Sequence, residues 1–156
     1  MMHKEIIPEL LATDNSWTPL ILRLTLGIVL FPHAVQKMFG WFRGPGLAGE
    51  MKFMTEVAGL PSSVAVMAIF VECAGMFCLL TGMATRIVAV ALFGLFTGMI
   101  ICIHRKNGFF MNWFGKLPAG QEGFEFHLLV LGICLVLMIT GGGKSSMDSW
   151  WQEAAR

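Results

Sequence analysis

The chain contains no tyrosine, and only 13% of its 156 residues are charged, against 56% that are hydrophobic. With a mean hydropathy of +0.70, this excludes a soluble monomeric domain, in which about 25% of residues are charged. No basic run is longer than Arg105-Lys106 and the net charge is +1, so there is no electrostatic footprint for nucleic acid. The four cysteines, Cys73, Cys78, Cys102 and Cys134, form no C-x-x-C pair. That argues against a thiol relay and leaves them as small apolar packers. Gly141-Gly142-Gly143-Lys144 is not a phosphate loop, because Met138 stands where that motif needs its first glycine. A helix end followed by a glycine turn explains it. Glu125-Phe126-His127 lacks the Glu-x-x-His spacing that puts two metal ligands on one helix face. His33 has no counterpart at its depth for axial haem ligation. No metal site is expected. Residues 1–16 carry three acids against one lysine and no small-residue cleavage site follows them, so they read as no signal peptide.

What is present is apolar bulk: 13 Phe, 12 Met and 5 Trp, side chains that fill apolar space at low polar cost. A membrane-spanning helix takes about 20 mostly apolar residues, so the length suits a single membrane domain of four spans, residues 1–156. Continuous apolar runs place the spans at about 17–39, 62–82, 87–103 and 124–140. Barrel strands would instead alternate in polarity. The expected fold is therefore all-α, an integral membrane four-helix bundle with both termini on one side. Trp17, Trp41, Trp113, Trp150 and Trp151 fall at or just beyond the span ends, where indoles favour the interface. Short interfacial segments are expected between spans one and two and between spans three and four. In the first, Leu47, Met51, Met54 and Ala58 oppose Glu50, Lys52, Thr55 and Glu56 at helical spacing. The second is the aromatic stretch Phe109, Phe110, Trp113 and Phe114. Both emerge on the same face and together suit a lid, while 81–86 is a tight turn on the opposite face. The lysine and arginine bias leans weakly toward the lid side inside.

A charge placed mid-membrane costs about 2.5–3.5 kcal/mol, so the charges within the spans carry the information. Arg23, Gly27, Leu30, Ala34 and Lys37 make one helical stripe, and Ala65, Ala68, Glu72, Gly75 and Leu79 make another. Span three carries Gly94 and Gly98, and span four carries Glu125 and Gly132. Small residues mark faces where helix backbones approach, so these stripes are expected to face the interior. Pro32 is expected to loosen the helix beside His33. His33 lies roughly 8–9 Å and Glu72 roughly 15 Å inside the lid-side end of their helices, at about 1.5 Å per residue. His33, Lys37, Glu72, His104 and Glu125 are thus expected to converge in the lid-side half, with Arg23 reaching toward Glu72 from the other side. His127, two residues from Glu125 on another helical face, reads as a packing histidine.

The first span LRLTLGIVLFPHAVQKMFG, the mid-span Glu72 followed by TGMATR, and the closing GGGKSSMDSWW resemble the DoxX family over nearly the whole chain. The family pattern falls on Arg23, Leu26, Gly27, His33, Lys37, Glu72 and Arg86, then on Gly141, Gly143, Lys144, Ser146 and Asp148. Ala34 stands where the family commonly has Gly. The resemblance implies a four-helix inner-membrane protein related to small subunits of quinol-oxidising and thiosulfate:quinone oxidoreductase complexes. On that reading Arg23, His33, Lys37 and His104 contact substrate, a quinone or quinol, and Glu72 and Glu125 carry protons. No flavin, haem or cluster motif is visible, so electrons come from a redox partner protein or another substrate. Two other classes stay open. One is a non-catalytic accessory subunit or scaffold, with the bilayer, a partner or a second copy as its contacts. The other is a small transporter or proton pathway, against which stands the lack of an inverted repeat with broken helices.

Overall fold

The computed structural model describes residues 11–118 and 120–154, and the described residues contain helices and no strand. The reading of residues 1–10 lies outside them. Helix α1 spans Trp17–Phe39. After a 3-10 turn at Trp41–Arg43, a short α2 spans Gly46–Lys52 and runs into a π-helical turn at Phe53–Val57. Helix α3 spans Ser62–Thr81, α4 Thr85–Cys102, α5 Glu125–Thr140 and α6 Met147–Ala154. Pro32 sits within α1 without ending it.

Three of these helices, α1, α3 and α4, are long and apolar enough to cross a membrane. Helix α5 is apolar but has 16 residues. Its start is fixed where Phe124 and Glu125 donate their N–H groups to the carbonyls of Gly108 and Phe109. Its end is fixed by Gly141 at φ 75°. The run read from the sequence as a fourth span thus forms a helix of about 24 Å.

Helix α1 packs on α3, α3 on α4, α4 on α5, and α5 back on α1. The shared core is Leu26, Leu30, Leu79, Ala89, Leu92, Phe96, Val130, Cys134 and Leu137. A smaller cluster of Met54, Ala65 and Ile69 seats the α2 connector on α3. The outer faces carry exposed Ile28, Val66, Phe70, Leu129 and Ile139, the pattern of helices solvated by lipid. All five tryptophans are exposed.

The stripes in α1 and α3 face inward as expected: Arg23, Gly27, Leu30, Ala34, Ala65, Glu72, Gly75 and Leu79 are buried. A Cβ on Gly27 would lie 2.9 Å from Leu80 and one on Gly75 3.0 Å from Leu92, so both glycines admit a close neighbour. Gly94, Gly98 and Gly132 do not follow this rule. Among the described residues a Cβ there would meet nothing within 4 Å. The helices meet instead through Ala89, Leu92 and Phe96 of α4 and Val130, Cys134 and Leu137 of α5, which turns those glycines outward.

The end of the bundle opposite the connectors is closed by a polar clasp. Arg23 donates Nε to the Gly142 carbonyl at 2.8 Å, Nη1 to Leu79 and Leu80 at 3.0 and 2.9 Å, and Nη2 to Lys144 and Ser145 at 3.4 and 2.8 Å. Five N–H donors therefore meet five backbone carbonyls. Two of these carbonyls belong to the last turn of α3, where no intrahelical donor remains. Asp148 accepts from the N–H groups of Ala84 and Thr85 at 2.7 and 2.8 Å, placing a carboxylate on the positive end of α4. Residues 12–16 lie across the glycine turn. Gly143 N–H donates to Thr13 Oγ1 at 2.6 Å, and Arg86 Nε to the Ala12 carbonyl at 2.8 Å. Gly82, at φ 70°, has Cα of Ser146 2.8 Å and Cζ of Arg23 3.0 Å from where its Cβ would be.

These contacts give a stability test. Asp148→Ala strands two N–H groups, a buried one at Thr85 and a half-buried one at Ala84, and is expected to cost about 3 kcal/mol. Gly82→Ala meets both a steric clash and a left-handed backbone and is expected to lower Tm in detergent comparably. Gly132→Ala, in open space on a helix, is expected to leave Tm unchanged or slightly raised. Equal Tm values for all three variants would show that the clasp does not hold the bundle.

Candidate functional site

At the connector end the polar groups are arranged differently, around a space. Lys37 Nζ donates to Glu72 Oε2 at 2.6 Å. Glu50 of α2 brings Oε1 to 3.6 Å from the same ammonium. One cation thus faces two carboxylates, with the Glu72 side chain only 3% exposed. The snorkelling that would take a lysine to the interface is not what Lys37 does. Its stem turns inward, because position 37 continues the buried stripe of α1.

Beside this group lies a cavity of about 380 Å³ that reaches His33, Lys37, Glu50, Glu72, His104 and His127. Phe96, Met99 and Phe126 give it apolar walls. The two connectors cover it, the first through Glu50, Phe53 and Met54 and the second through Met111, Gly120 and Glu122. His33 is exposed and also lines the cavity, so it stands at a mouth, with Phe126 6.4 Å away between ring centroids. His104 Nδ1 lies 2.7 Å from the Glu122 carbonyl. A carbonyl only accepts, so this contact puts the ring proton on Nδ1 and leaves Nε2 of the neutral ring as an acceptor.

Four of the six residues expected to form the site, His33, Lys37, Glu72 and His104, line this one cavity. Arg23 and Glu125 do not. The reach of Arg23 toward Glu72 is not made, because all its donors are engaged at the clasp. Glu125 turns to the second connector, where its Oε2 accepts from Met111 N–H at 3.2 Å and Trp113 Nε1 at 2.9 Å. It anchors the lid segment and does not line the chamber. The reason is the phase of α5, whose buried stripe is His127, Val130, Cys134 and Leu137. Position 125 falls off that stripe and position 127 heads it.

His127, which reads as a packing residue from its position, is therefore a cavity residue. It is 6% exposed and packs 4.2 Å from the His104 ring and 5.5 Å from Phe96 between centroids. Its Nδ1 has no hydrogen-bond partner among the described residues, which costs about 1–3 kcal/mol for a buried group. Its spacing to Val130, Cys134 and Leu137 was the available signal. Glu50 falls on the polar face of the connector by its spacing and is instead buried beside Lys37. Its signal was Met54 one turn on, the buried anchor of that segment. Among the described residues no cluster of three or more His, Cys, Asp or Glu side chains has the arrangement of a metal site.

A polar, ligand-sized chamber inside long apolar helices with lipid-like outer faces defines a helical membrane protein. The DoxX family model matches residues 18–105, more than half of the chain, and the chain belongs to the DoxX family. The match takes in α1 through α4 and so contains His33, Lys37, Glu50, Glu72 and His104; His127 and the clasp segment after α5 lie beyond it. No curated protein and no solved structure matches the chain.

The charge arrangement predicts an asymmetry. Removing one member of a buried ion pair costs about 3–5 kcal/mol. Lys37→Met leaves Glu50 and Glu72 facing each other without a cation, whereas Glu72→Leu leaves Lys37 its second carboxylate. Thermal unfolding in detergent is expected to show Lys37→Met as the more destabilised, with Lys37→Met/Glu72→Leu recovering much of the loss. A double variant no better than Lys37→Met would disprove the pairing.

Proposed function

We propose that the protein crosses a bacterial-type inner membrane four times. On this reading the connector-side chamber binds the polar head of a quinone or quinol, in a quinone-linked redox protein or a small subunit of a membrane oxidoreductase. Helix α5 is short for a bilayer core of about 30 Å. From Leu128 to Ile139 it is wholly apolar, and it packs in the same ring as the three longer helices, which supports its crossing with them. The observation that carries the functional reading is the chamber itself. It sets an ammonium, two carboxylates and three imidazoles against Phe and Met walls inside an apolar bundle.

That combination suits a flat apolar ring with polar oxygens at its edge. Lys37 and His33 are donors for a quinone oxygen, and His104 Nε2 is an acceptor for a quinol hydroxyl. Reducing a quinone to a quinol takes two electrons and two protons. In this reading Lys37 gives its proton to a ring oxygen, and the neutral amine left behind is reprotonated through Glu72, which takes that proton from solvent; two such cycles supply the two protons. The electrons come from a redox partner protein. Met111 and Glu122 line the chamber from the same connector that holds exposed Phe110, Trp113 and Phe114, and this aromatic segment is the natural docking face for such a partner.

A second reading has one observation in its favour. Lys37 and Glu72 satisfy each other at 2.6 Å, as they would in an accessory subunit that uses a buried pair only to fix helix register.

Mass spectrometry of the small molecules and proteins retained after mild purification, followed by quinone titration, separates the two. Glu72→Gln and His33→Ala, purified as folded proteins, are expected to bind quinone at least about tenfold more weakly, a loss of ~1.4 kcal/mol. Affinities equal to the parent would remove these residues from the site. A co-purifying protein with no quinone at any concentration would favour the accessory subunit.

A further inference from the structure

A second cavity, of about 440 Å³, runs along the outer surface between α3 and α4. Its floor is Ala91, Gly94 and Gly98 of α4, and its α3 wall is Val64, Met67 and Val71. Every lining side chain is apolar. The glycines hollow the surface: among the described residues a Cβ on either would meet nothing within 4 Å, so no described helix fills the space they leave.

This groove is not separate from the polar chamber. Met54, Met99 and Ile103 line both. A polar compartment and a wholly apolar one therefore share a wall of three side chains, two of them methionines, whose unbranched stems repack readily. Each compartment falls within the range of roughly 300–1,000 Å³ found for ligand pockets. The pair matches a molecule with a compact polar head and a long apolar tail, the head among Lys37, Glu72 and the histidines and the tail outside along α4.

We propose that the groove between α3 and α4 seats the isoprenoid tail of the quinone whose head occupies the connector-side chamber, with Gly94 and Gly98 setting the width of the tail channel. This rests on the quinone reading above and extends it to the ligand class. Long-tailed quinones are selected over short-tailed ones, and the tail passes the Met54–Met99–Ile103 wall.

The test fills the groove and leaves the chamber intact. Gly94→Leu/Gly98→Leu adds bulk into open space on a helix, where leucine is the better helix former, so the variant is expected to fold. Three probes are titrated into the full-length protein in lipid nanodiscs: a benzoquinone with an isoprenoid tail of several units, the same ring with a methyl group in its place, and a polyprenyl alcohol without the ring. The parent is expected to bind the long-tailed quinone at least about tenfold more tightly than the methyl quinone. The filled variant is expected to lose that advantage while binding the methyl quinone as the parent does. If the methyl quinone binds the parent but tail length or groove filling changes nothing, the groove proposal fails and the headgroup reading stands. If no quinone of either length binds the parent, the headgroup reading fails and takes this proposal with it. Polyprenyl alcohol or bilayer phospholipid holding the groove against the long-tailed quinone would overturn it as well. So would a filled variant that changes only oligomeric state, because the groove would then pack a second copy.

Discussion

Arg23 is the interaction on which the arrangement depends. A guanidinium 1% exposed inside an apolar bundle is tolerable only if every donor is used, since an unpaired polar group in such a medium costs several kcal/mol. Here the five donors end on five carbonyls from two separated stretches, the last turn of α3 and the loop after α5. One side chain of α1 thus ties both of its packing neighbours at one end. Asp148 extends the tie to the start of α4. The four helices of the ring are thus tied together at that end.

With one end fixed, the other is free to be hollow. The polar groups at the connector end are not saturated by backbone. They pair with one another, as Lys37 does with Glu72, or face the cavity, as His33 does. The connectors serve both purposes. Glu50 completes the charge group while Met54 locks its segment onto α3. Glu125 holds the second connector in place through Met111 and Trp113. The two ends thus differ in kind: in the clasp the polar groups are satisfied by backbone, and at the connector end they line a cavity.

Much of the fold was legible because membrane helices have a simple requirement. Apolar runs of sufficient length, tryptophans at their ends and small residues in line with charges gave α1, α3, α4 and the buried stripes of α1 and α3. The same logic failed for Gly94, Gly98 and Gly132. Small residues report that something can approach, not that something does, and among the described residues nothing lies beside these three. In the site, His33, Lys37, Glu72 and His104 were legible as polar groups in the lid-side half of the bundle. Glu125 and His127 exchanged places because depth along a helix says nothing about its rotation. The closing glycine, serine and aspartate pattern was visible as a motif, but its role needed Arg23 beside it.

The sequence by itself determined that this is a helical membrane protein and which residues are too polar to lie idle in it, because transfer free energies act on each residue singly and composition records them. Only the tertiary structure decided which polar groups meet. Whether Arg23 reaches Glu72 or the carbonyls of the clasp, whether position 125 or 127 faces the chamber, and whether a glycine meets a helix or leaves a groove all depend on helix rotation and end positions. Those are set by packing among Leu, Phe and Val side chains from four different segments, and no local stretch of sequence contains them.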